Sequence, residues 1–256
     1  MKNVLILFAG LIFTVGSFGQ VAYMQYRKVP ADREGEFVEK ETKYWSKVAK
    51  SAIDKGQMTG WSLWRKVGIT EVDAPNYVFV NNFESVDKID QSAIWSESNM
   101  KTMGITPGLV ETNSFAPVTF DYWMQLEDTV QGEYKYAVVN YAMPENRGAF
   151  IEENKTLWKP FHEKNIKAGT MGISSWGMMS VITPTGNKSR FSVMTWDGFN
   201  KMSDMLKYLS YSAPDNSDGT WNEVLSKTKM GEILPKGFEY SIIYELVMRV
   251  SAEPKK

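Results

Sequence analysis

Two stretches of the chain, Phe79-Val80-Asn81-Asn82-Phe83 and Ser192-Val193-Met194-Thr195-Trp196, read as matching β-strands and decide the fold. Their last residues lie 113 positions apart. Other chain breaks repeat at nearly the same interval: Gly56 with Gly169 at 113 residues, and Val29-Pro30 with Met143-Pro144 at 114. This interval exceeds the roughly 20–50 residues of solenoid repeats, so it indicates a duplicated domain.

Each half of the chain predicts the same order of elements. Apolar periodicity predicts strands over about 21–29, 58–67, 76–83 and 119–126, with helices over about 33–55 and 85–100. The second half predicts strands over about 134–143, 170–182, 189–196 and 238–250. Its helices are one over about 146–168, kinked near Pro160, and one through Met202 and Leu209. The order β-α-β-β-α-β is the ferredoxin-like unit.

The predicted fold class is therefore α+β, with two ferredoxin-like repeats. A sheet that carries helices on one face must cover its other face. Two copies in one chain can do this by packing sheet to sheet as one intramolecular α/β barrel. We assign the first repeat to residues 20–126, a polar linker to 127–133, the second repeat to 134–250 and a polar tail to 251–256.

The composition excludes several classes of function. The formal net charge is −1, so the chain lacks the basic surface that nucleic-acid partners and polybasic membrane anchors require. Cysteine is absent, which excludes disulfides, thiolate metal sites and a cysteine nucleophile. With a single histidine, the usual metal sites are also not expected, and we predict neither a metal nor a cofactor.

The first nineteen residues have the pattern of a secretory signal. Lys2 precedes an apolar run over 4–15, and small residues stand at Ser17 and Gly19. The run is shorter than the about 20 residues that a membrane span needs. We therefore predict cleavage after Gly19, export to the periplasm or the medium, and no membrane span in the mature chain. A buried first strand or an uncleaved anchor is the alternative.

With its tandem units, the chain resembles the dimeric α/β-barrel superfamily over about Val21 to Val250. That superfamily includes antibiotic-biosynthesis and haem-degrading monooxygenases, chlorite dismutase-like proteins and stress-responsive barrel proteins. The resemblance implies helices outside, sheets facing inward, and a single chain that forms a pseudo-dimer or assembles as a homodimer. It does not specify an activity, because such folds host many functions.

Aromatic side chains on the strands are candidates for a ligand site. A cavity with aromatic walls and a few polar groups suits a small apolar or aromatic molecule, which we expect between the two sheets. The candidate ligand-binding residues are Tyr23, Phe79, Tyr136, Trp61 and Trp176. Alternatively, these rings fill an ordinary core, and the protein is a structural or interaction module.

A second hypothesis is a cofactor-independent monooxygenase acting on an aromatic substrate. Such chemistry needs positioning and a polar group that steers a carbanion or an oxyanion. Arg27, Asn81 and Asn140 are the candidate catalytic residues. The sequence leaves open whether the protein is an enzyme.

His162 is the only histidine, and its role is open. It is a candidate haem ligand or general base. The resemblance places a haem ligand on the second helix, where this chain has no histidine, which counts against haem. The neighbouring Glu163 and Lys164 favour an ordinary histidine at the surface or at a helix edge.

Overall fold

The computed structural model describes residues 20–68, 71, 73–213 and 220–252. Within these residues, strands close into one barrel in the order β1-β3-β2-β8-β5-β7-β6-β4. The strands are β1 (Val21–Arg27), β2 (Gly60–Val67), β3 (Tyr77–Phe83), β4 (Val118–Val130), β5 (Tyr136–Ala142), β6 (Ile173–Thr183), β7 (Val193–Phe199) and β8 (Tyr240–Ser251). This α+β barrel confirms the predicted fold class.

The two repeats are hydrogen-bonded to each other along their edges. β4 of the first repeat pairs antiparallel with β6, and β8 of the second repeat pairs antiparallel with β2. The sheets therefore face each other across the interior and also continue into one another. β4 runs on to Val130, which lies opposite Trp176, so the first four residues of the predicted linker 127–133 belong to a strand.

The helices cover the outside of the barrel. They are α1 (Glu34–Lys40), α2 (Ser46–Asp54), α3 (Gln91–Ile94), α4 (Glu97–Met100), α5 (Pro107–Val110), α6 (Arg147–Glu153), α7 (Lys159–Ala168), α8 (Met202–Leu209), α9 (Thr220–Lys227) and α10 (Met230–Ile233). A π-helical turn, Glu41–Trp45, joins α1 to α2, and a second one, Asn154–Trp158, joins α6 to α7. Pro160 stands in the first turn of α7, directly after that wider turn.

The helical layer repeats at the interval that the sequence predicts. The two π-helical turns begin 113 residues apart. The long helices of both repeats are followed by left-handed glycines, Gly56 with φ 71° and Gly169 with φ 69°. A glycine adopts this conformation without the clash that a Cβ would cause, which explains why it ends both helices.

The helix predicted over about 85–100 is broken into short pieces. Ser85, at the start of the predicted helix, makes no side-chain cap hydrogen bond. Asp90 instead accepts a hydrogen bond from the backbone N–H of Ala93 and starts α3 at Gln91. A carboxylate at this position satisfies a donor that the helix itself leaves free, and it therefore sets where the helix begins.

The strands align at a different interval from the helices. Trp61 lies opposite Asn81 on β2 and β3, and Trp176 lies opposite Asp197 on β6 and β7, which gives intervals of 115 and 116 residues. Tyr23 pairs with Asn81 on β1, whereas the residue that pairs with Asp197 on β5 is Val138. Turns of unequal length absorb this difference. Val138 is therefore equivalent to Tyr23, whereas the 113-residue interval alone would match Tyr23 with Tyr136.

Apolar side chains pack in two layers, one inside the barrel and one between the barrel and its helices. On β1, Ala22, Met24 and Tyr26 point into the barrel interior, which we call the lumen. The alternate residues face the helical layer, in which Tyr23 packs. None of the helices within the described ranges has the length and apolar character that a bilayer crossing requires. The predicted signal segment lies outside the described residues.

Candidate functional site

The predicted ligand-binding aromatics pack under the helices, which corrects their expected placement in the lumen, and only Trp61 also reaches the lumen. Tyr23, Phe79 and Trp61 pack under the helices of the first repeat. Tyr136 and Trp176 pack under those of the second. Strand alternation identified which residues share a face. It did not identify which face is inside, because both faces of this sheet are buried and apolar.

Four of the predicted site residues line one pocket beneath the helices of the first repeat. This space, which we call the outer pocket, has a volume of about 300 Å³. It brings together the candidates Arg27, Asn81, Phe79 and Trp61. Its complete lining is Gln25, Arg27, Glu41, Trp45, Trp61, Phe79, Asn81, Trp95, Met100, Thr112 and Asn113.

One wall of the outer pocket is a buried array of an acid, a hydroxyl and a guanidinium group. The Nη1 of Arg27 donates to Thr112 Oγ1 at 3.2 Å and to the carbonyl of Ala116 at 3.3 Å. The hydroxyl of Thr112 in turn donates to Glu41 Oε1 at 2.6 Å. Thr112 thus links the two charged groups, and all three side chains are buried.

Burial sets the protonation of this array. It raises the pKa of Glu41 to about 7, although the bond from Thr112 and the charge of Arg27 both favour the ionised carboxylate. Burial also lowers the pKa of Arg27, and the charge of Glu41 opposes that shift. An acid whose pKa lies near neutrality can accept and return a proton at physiological pH.

The π-helical turn is the local feature that positions Glu41. It begins at Glu41 and ends at Trp45, so both residues that face the pocket from this helix belong to the turn. Two side chains accommodate the wider turn, because Thr42 donates to the carbonyl of Val38 and Ser46 donates to that of Thr42. Such single π-helical turns occur often at functional sites.

Aromatic rings form the other walls. The rings of Trp61 and Phe79 lie 5.8 Å apart, and Trp45 meets Trp95 edge-on at 5.9 Å. The guanidinium of Arg27 lies 5.0 Å from the centre of the Phe79 ring. Asn81 donates to the carbonyl of Tyr23 at 3.1 Å, which holds its side-chain amide at the pocket wall.

The equivalent place in the second repeat carries different side chains. Asp197 replaces Asn81, and at the 113-residue helix interval His162 replaces Ala49. The imidazole stacks on Trp176 at 5.4 Å, so a ring stands where the first repeat has a methyl group. His162 is 3% exposed, and the expected surface histidine is therefore wrong. The flanking Glu163 and Lys164 point elsewhere because they lie on another side of the helix.

Burial shifts the pKa of both His162 and Asp197 in the direction that favours the neutral form. It lowers the pKa of His162 to about 3 and raises that of Asp197 to about 7. Their Nε2 and Oδ1 atoms are 3.8 Å apart, and no partner is found for His162 Nδ1 among the described residues. The Nδ2 of the candidate Asn140 lies 3.4 Å from Asp197 Oδ2, so Asn140 belongs to this cluster and not to the outer pocket.

The lumen contains a larger space than the outer pocket. Its volume is about 720 Å³, and of the predicted site residues only Trp61 lines it. In the described part of the chain, no three His, Asp or Glu side chains are grouped to hold a metal ion.

Sequence reasoning missed Glu41, Trp45 and Thr112 as site residues. A signal existed for Glu41, because it stands four residues after Phe37 and four before Trp45 on the apolar stripe of the helix. An acid inside such a stripe is expected to have a perturbed pKa. Thr112 lies in a loop far along the chain, and no local pattern marks it.

Comparison with solved structures identifies the same fold in other proteins. A proposed monooxygenase from Lactobacillus acidophilus NCFM superposes with a TM-score of 0.56 at 8% identity, over 91% of this chain and 96% of that chain. A proposed monooxygenase from Fusobacterium nucleatum superposes with a TM-score of 0.53 at 12% identity, over 91% and 93% of the two chains. An anthrone oxidase-like protein gives 0.54 at 10% identity, over 93% and 95%.

No family model and no curated protein matches the sequence. The structural similarity extends over nearly the whole of both chains in each pair, so the complete barrels are being compared and not single repeats. At sequence identities this low, the structural similarity establishes the fold alone. The chain therefore has the fold of the dimeric α/β-barrel superfamily, with both ferredoxin-like halves in one polypeptide.

Proposed function

We propose that the chain binds a planar aromatic molecule in the outer pocket and oxygenates it without a bound cofactor. The observation that carries this proposal is the buried Glu41–Thr112–Arg27 array facing aromatic walls. The same pocket contains three of the predicted ligand and catalytic residues besides Arg27, namely Asn81, Phe79 and Trp61. Structural neighbours that are described as monooxygenases and as anthrone oxidase-like lend support at the level of fold.

The chemistry that fits this wall begins with a proton transfer. The carboxylate of Glu41 takes a proton from a phenol or from an activated ring methylene, and the positive charge of Arg27 stabilises the resulting anion. The electron-rich anion then transfers one electron to dioxygen, and the two radicals combine to a peroxide anion at the ring carbon. Glu41 returns its proton to this anion, which gives the hydroperoxide. Loss of water converts a methylene to a carbonyl, so one dioxygen yields one carbonyl oxygen and one water.

The remaining pocket residues have supporting roles in this proposal. The Trp61 and Phe79 rings hold the flat substrate by stacking, which limits its orientation relative to Glu41. Asn81 offers a polar contact to a ring oxygen. Trp45 and Trp95 cover the pocket from the helical layer and reduce access of water, which strengthens the electrostatic stabilisation of the anion.

Oxygen uptake with a panel of anthrones, naphthols and hydroquinones tests the proposal. We expect wild-type turnover of at least one substrate, with a rate that rises with pH to half its maximum near pH 7 because Glu41 acts as the base. Glu41→Gln should lose about 10²–10⁴-fold in rate. Glu39→Gln, an exposed acid two residues earlier, is the matched control. Turnover that survives Glu41→Gln, or no uptake with any substrate, contradicts the proposal.

We propose separately that the protein is exported from the cytoplasm. It rests on the signal pattern of residues 1–19 and on the start of β1 at Val21, directly after the predicted cleavage site. We expect protein recovered from the periplasm or the medium of the native host to begin at Gln20. Intact protein that begins at Met1 in the cytoplasm would contradict it. The monomer or homodimer alternative can be resolved by light scattering on the same material.

A further inference from the structure

We infer that the lumen is a second binding site, which holds one long amphiphile with an apolar body and a carboxylate end. This inference does not depend on the oxygenase proposal, because the lumen and the outer pocket lie on opposite faces of the sheet. The lumen opens at one end of the barrel, where β1, β2, β5 and β6 begin. Its volume of about 720 Å³ is within the range of sites for drug-sized ligands.

Small residues keep this end of the lumen open. The inward positions of β2 carry Gly60 and Ser62, and the equivalent positions of β6 carry Ser175 and Gly177. A Cβ added to Gly177 would lie 2.1 Å from the ring of Trp196. The ring thus lies against the strand backbone instead of across the lumen, because glycine allows this close approach.

Aromatic rings close the opposite end of the lumen. Tyr26 donates its hydroxyl hydrogen bond to Tyr141, and Tyr141 donates to Tyr244, both at 3.2 Å. Tyr26 also stacks on Phe120 at 4.4 Å, and Phe191 packs on Tyr141 at 4.7 Å. Because these hydroxyls bond to one another, the closed end offers a ligand mainly apolar contacts.

The side wall is apolar as well. The aliphatic and methionine side chains that line the lumen include Met24, Val80, Ala137, Val139, Met179 and Met194. Methionine is flexible, and three of them allow the wall to adapt to a chain of variable shape. An apolar surface of this extent favours an apolar molecule over water, which would lack hydrogen-bond partners there.

Among the residues that line the lumen, the charged ones are Arg249 and Glu133, and both lie at its mouth. The guanidinium of Arg249 lies 4.8 Å from the Tyr134 ring centre and 5.6 Å from that of Trp64, so two rings hold it. Its partner Glu133 lies 3.0 Å away, but the Glu133 side chain is 91% exposed. A pair with so exposed a partner is weak, and a ligand carboxylate can replace Glu133 on Arg249.

Titration with cis-parinaric acid, a fluorescent polyene fatty acid, tests the assignment, with the corresponding alcohol as the second probe. We expect saturable binding of one acid per chain. Ala137→Phe, which fills the lumen, should weaken both probes at least about tenfold. Arg249→Gln should weaken the acid about tenfold and leave the alcohol unchanged. Val80→Phe is the second filling variant, should Ala137→Phe not fold.

Trp45→Ala is the control that separates the two sites. It opens the outer pocket and leaves the lumen intact, so parinaric acid should bind it as it binds the wild type. The lumen site is overturned if the wild type shows no saturable binding. It is also overturned if both filling variants bind the probes as tightly as the wild type does. Equal loss of acid and alcohol in Arg249→Gln overturns the carboxylate assignment. If Trp45→Ala loses binding while the filling variants keep it, the probe binds in the outer pocket, and the inference is overturned.

Discussion

Replacing Asp197 by asparagine should make the protein more stable at neutral and alkaline pH and leave its acid stability nearly unchanged. Burial raises the pKa of Asp197 from 3.8 to about 7, so the folded state holds a proton that the unfolded state releases. The stability that comes from this proton is fully present below pH 3.8 and is lost as the pH rises through 7. Asparagine cannot ionise, and its side chain can still bond to Asn140.

The size of the effect follows from the two pKa values. Between pH 3.8 and a pH above 7, the wild type loses about 4 kcal/mol of unfolding free energy through Asp197. The free energies of wild type and Asp197→Asn should therefore diverge by about that amount between pH 4 and pH 8. At pH 4, only the direct difference between the two side chains remains.

Urea unfolding followed by tryptophan fluorescence at several pH values measures this divergence. Asp87→Asn is the matched control, because Asp87 is an exposed aspartate on the surface of the first repeat. The difference in unfolding free energy between Asp87→Asn and the wild type should stay constant with pH. Parallel curves for the wild type and Asp197→Asn would refute the reasoning, because they would show that Asp197 ionises as easily in the folded as in the unfolded protein.

Three further substitutions test other parts of the structure. Burial lowers the pKa of His162 from 6.5 to about 3, so the free energy of unfolding falls as the pH drops below 6.5. Because phenylalanine cannot take up a proton, His162→Phe should remove about 3 kcal/mol of that loss at pH 4.5, as measured by acid unfolding. Gly177→Ala should lower the melting temperature by several degrees because its Cβ would overlap Trp196, whereas Gly231→Ala, with open space around it, should not. Tyr141→Phe removes the middle hydroxyl of the buried chain and should cost about 1–3 kcal/mol in urea unfolding, and no change would contradict the hydrogen-bond assignment.

The sequence was sufficient to predict the barrel and its order of elements, because duplication left clear signals. Gly56 and Gly169 mark equivalent helix ends, and each strand shows its own apolar pattern. The interval of 113 residues does not match equivalent positions on the strands, however, because these lie 115 or 116 residues apart. Turns of different length shift Val138 into the place equivalent to Tyr23, and no local pattern reports an insertion in a turn.

Four of the eight predicted site residues line the outer pocket, but its location and its acid were not predicted. Arg27, Asn81, Phe79 and Trp61 do meet in one pocket, since they alternate along neighbouring strands. Their side of the sheet could not be predicted, because lumen and helical layer are both apolar. Glu41 was missed since it joins the pocket from a helix, and His162 was misjudged since its charged neighbours point away from its own buried face.

The pair Ala49 and His162 shows what a single-chain barrel permits. In a dimer of identical subunits, any residue that fills one pocket fills both, so the two halves cannot differ. Here the halves are separate stretches of one gene product, and each can change alone. One half keeps an open pocket with an acid–guanidinium wall, while the other has a histidine ring stacked on tryptophan at the same place. A single chain with two repeats therefore permits the two halves to carry different residues at equivalent positions.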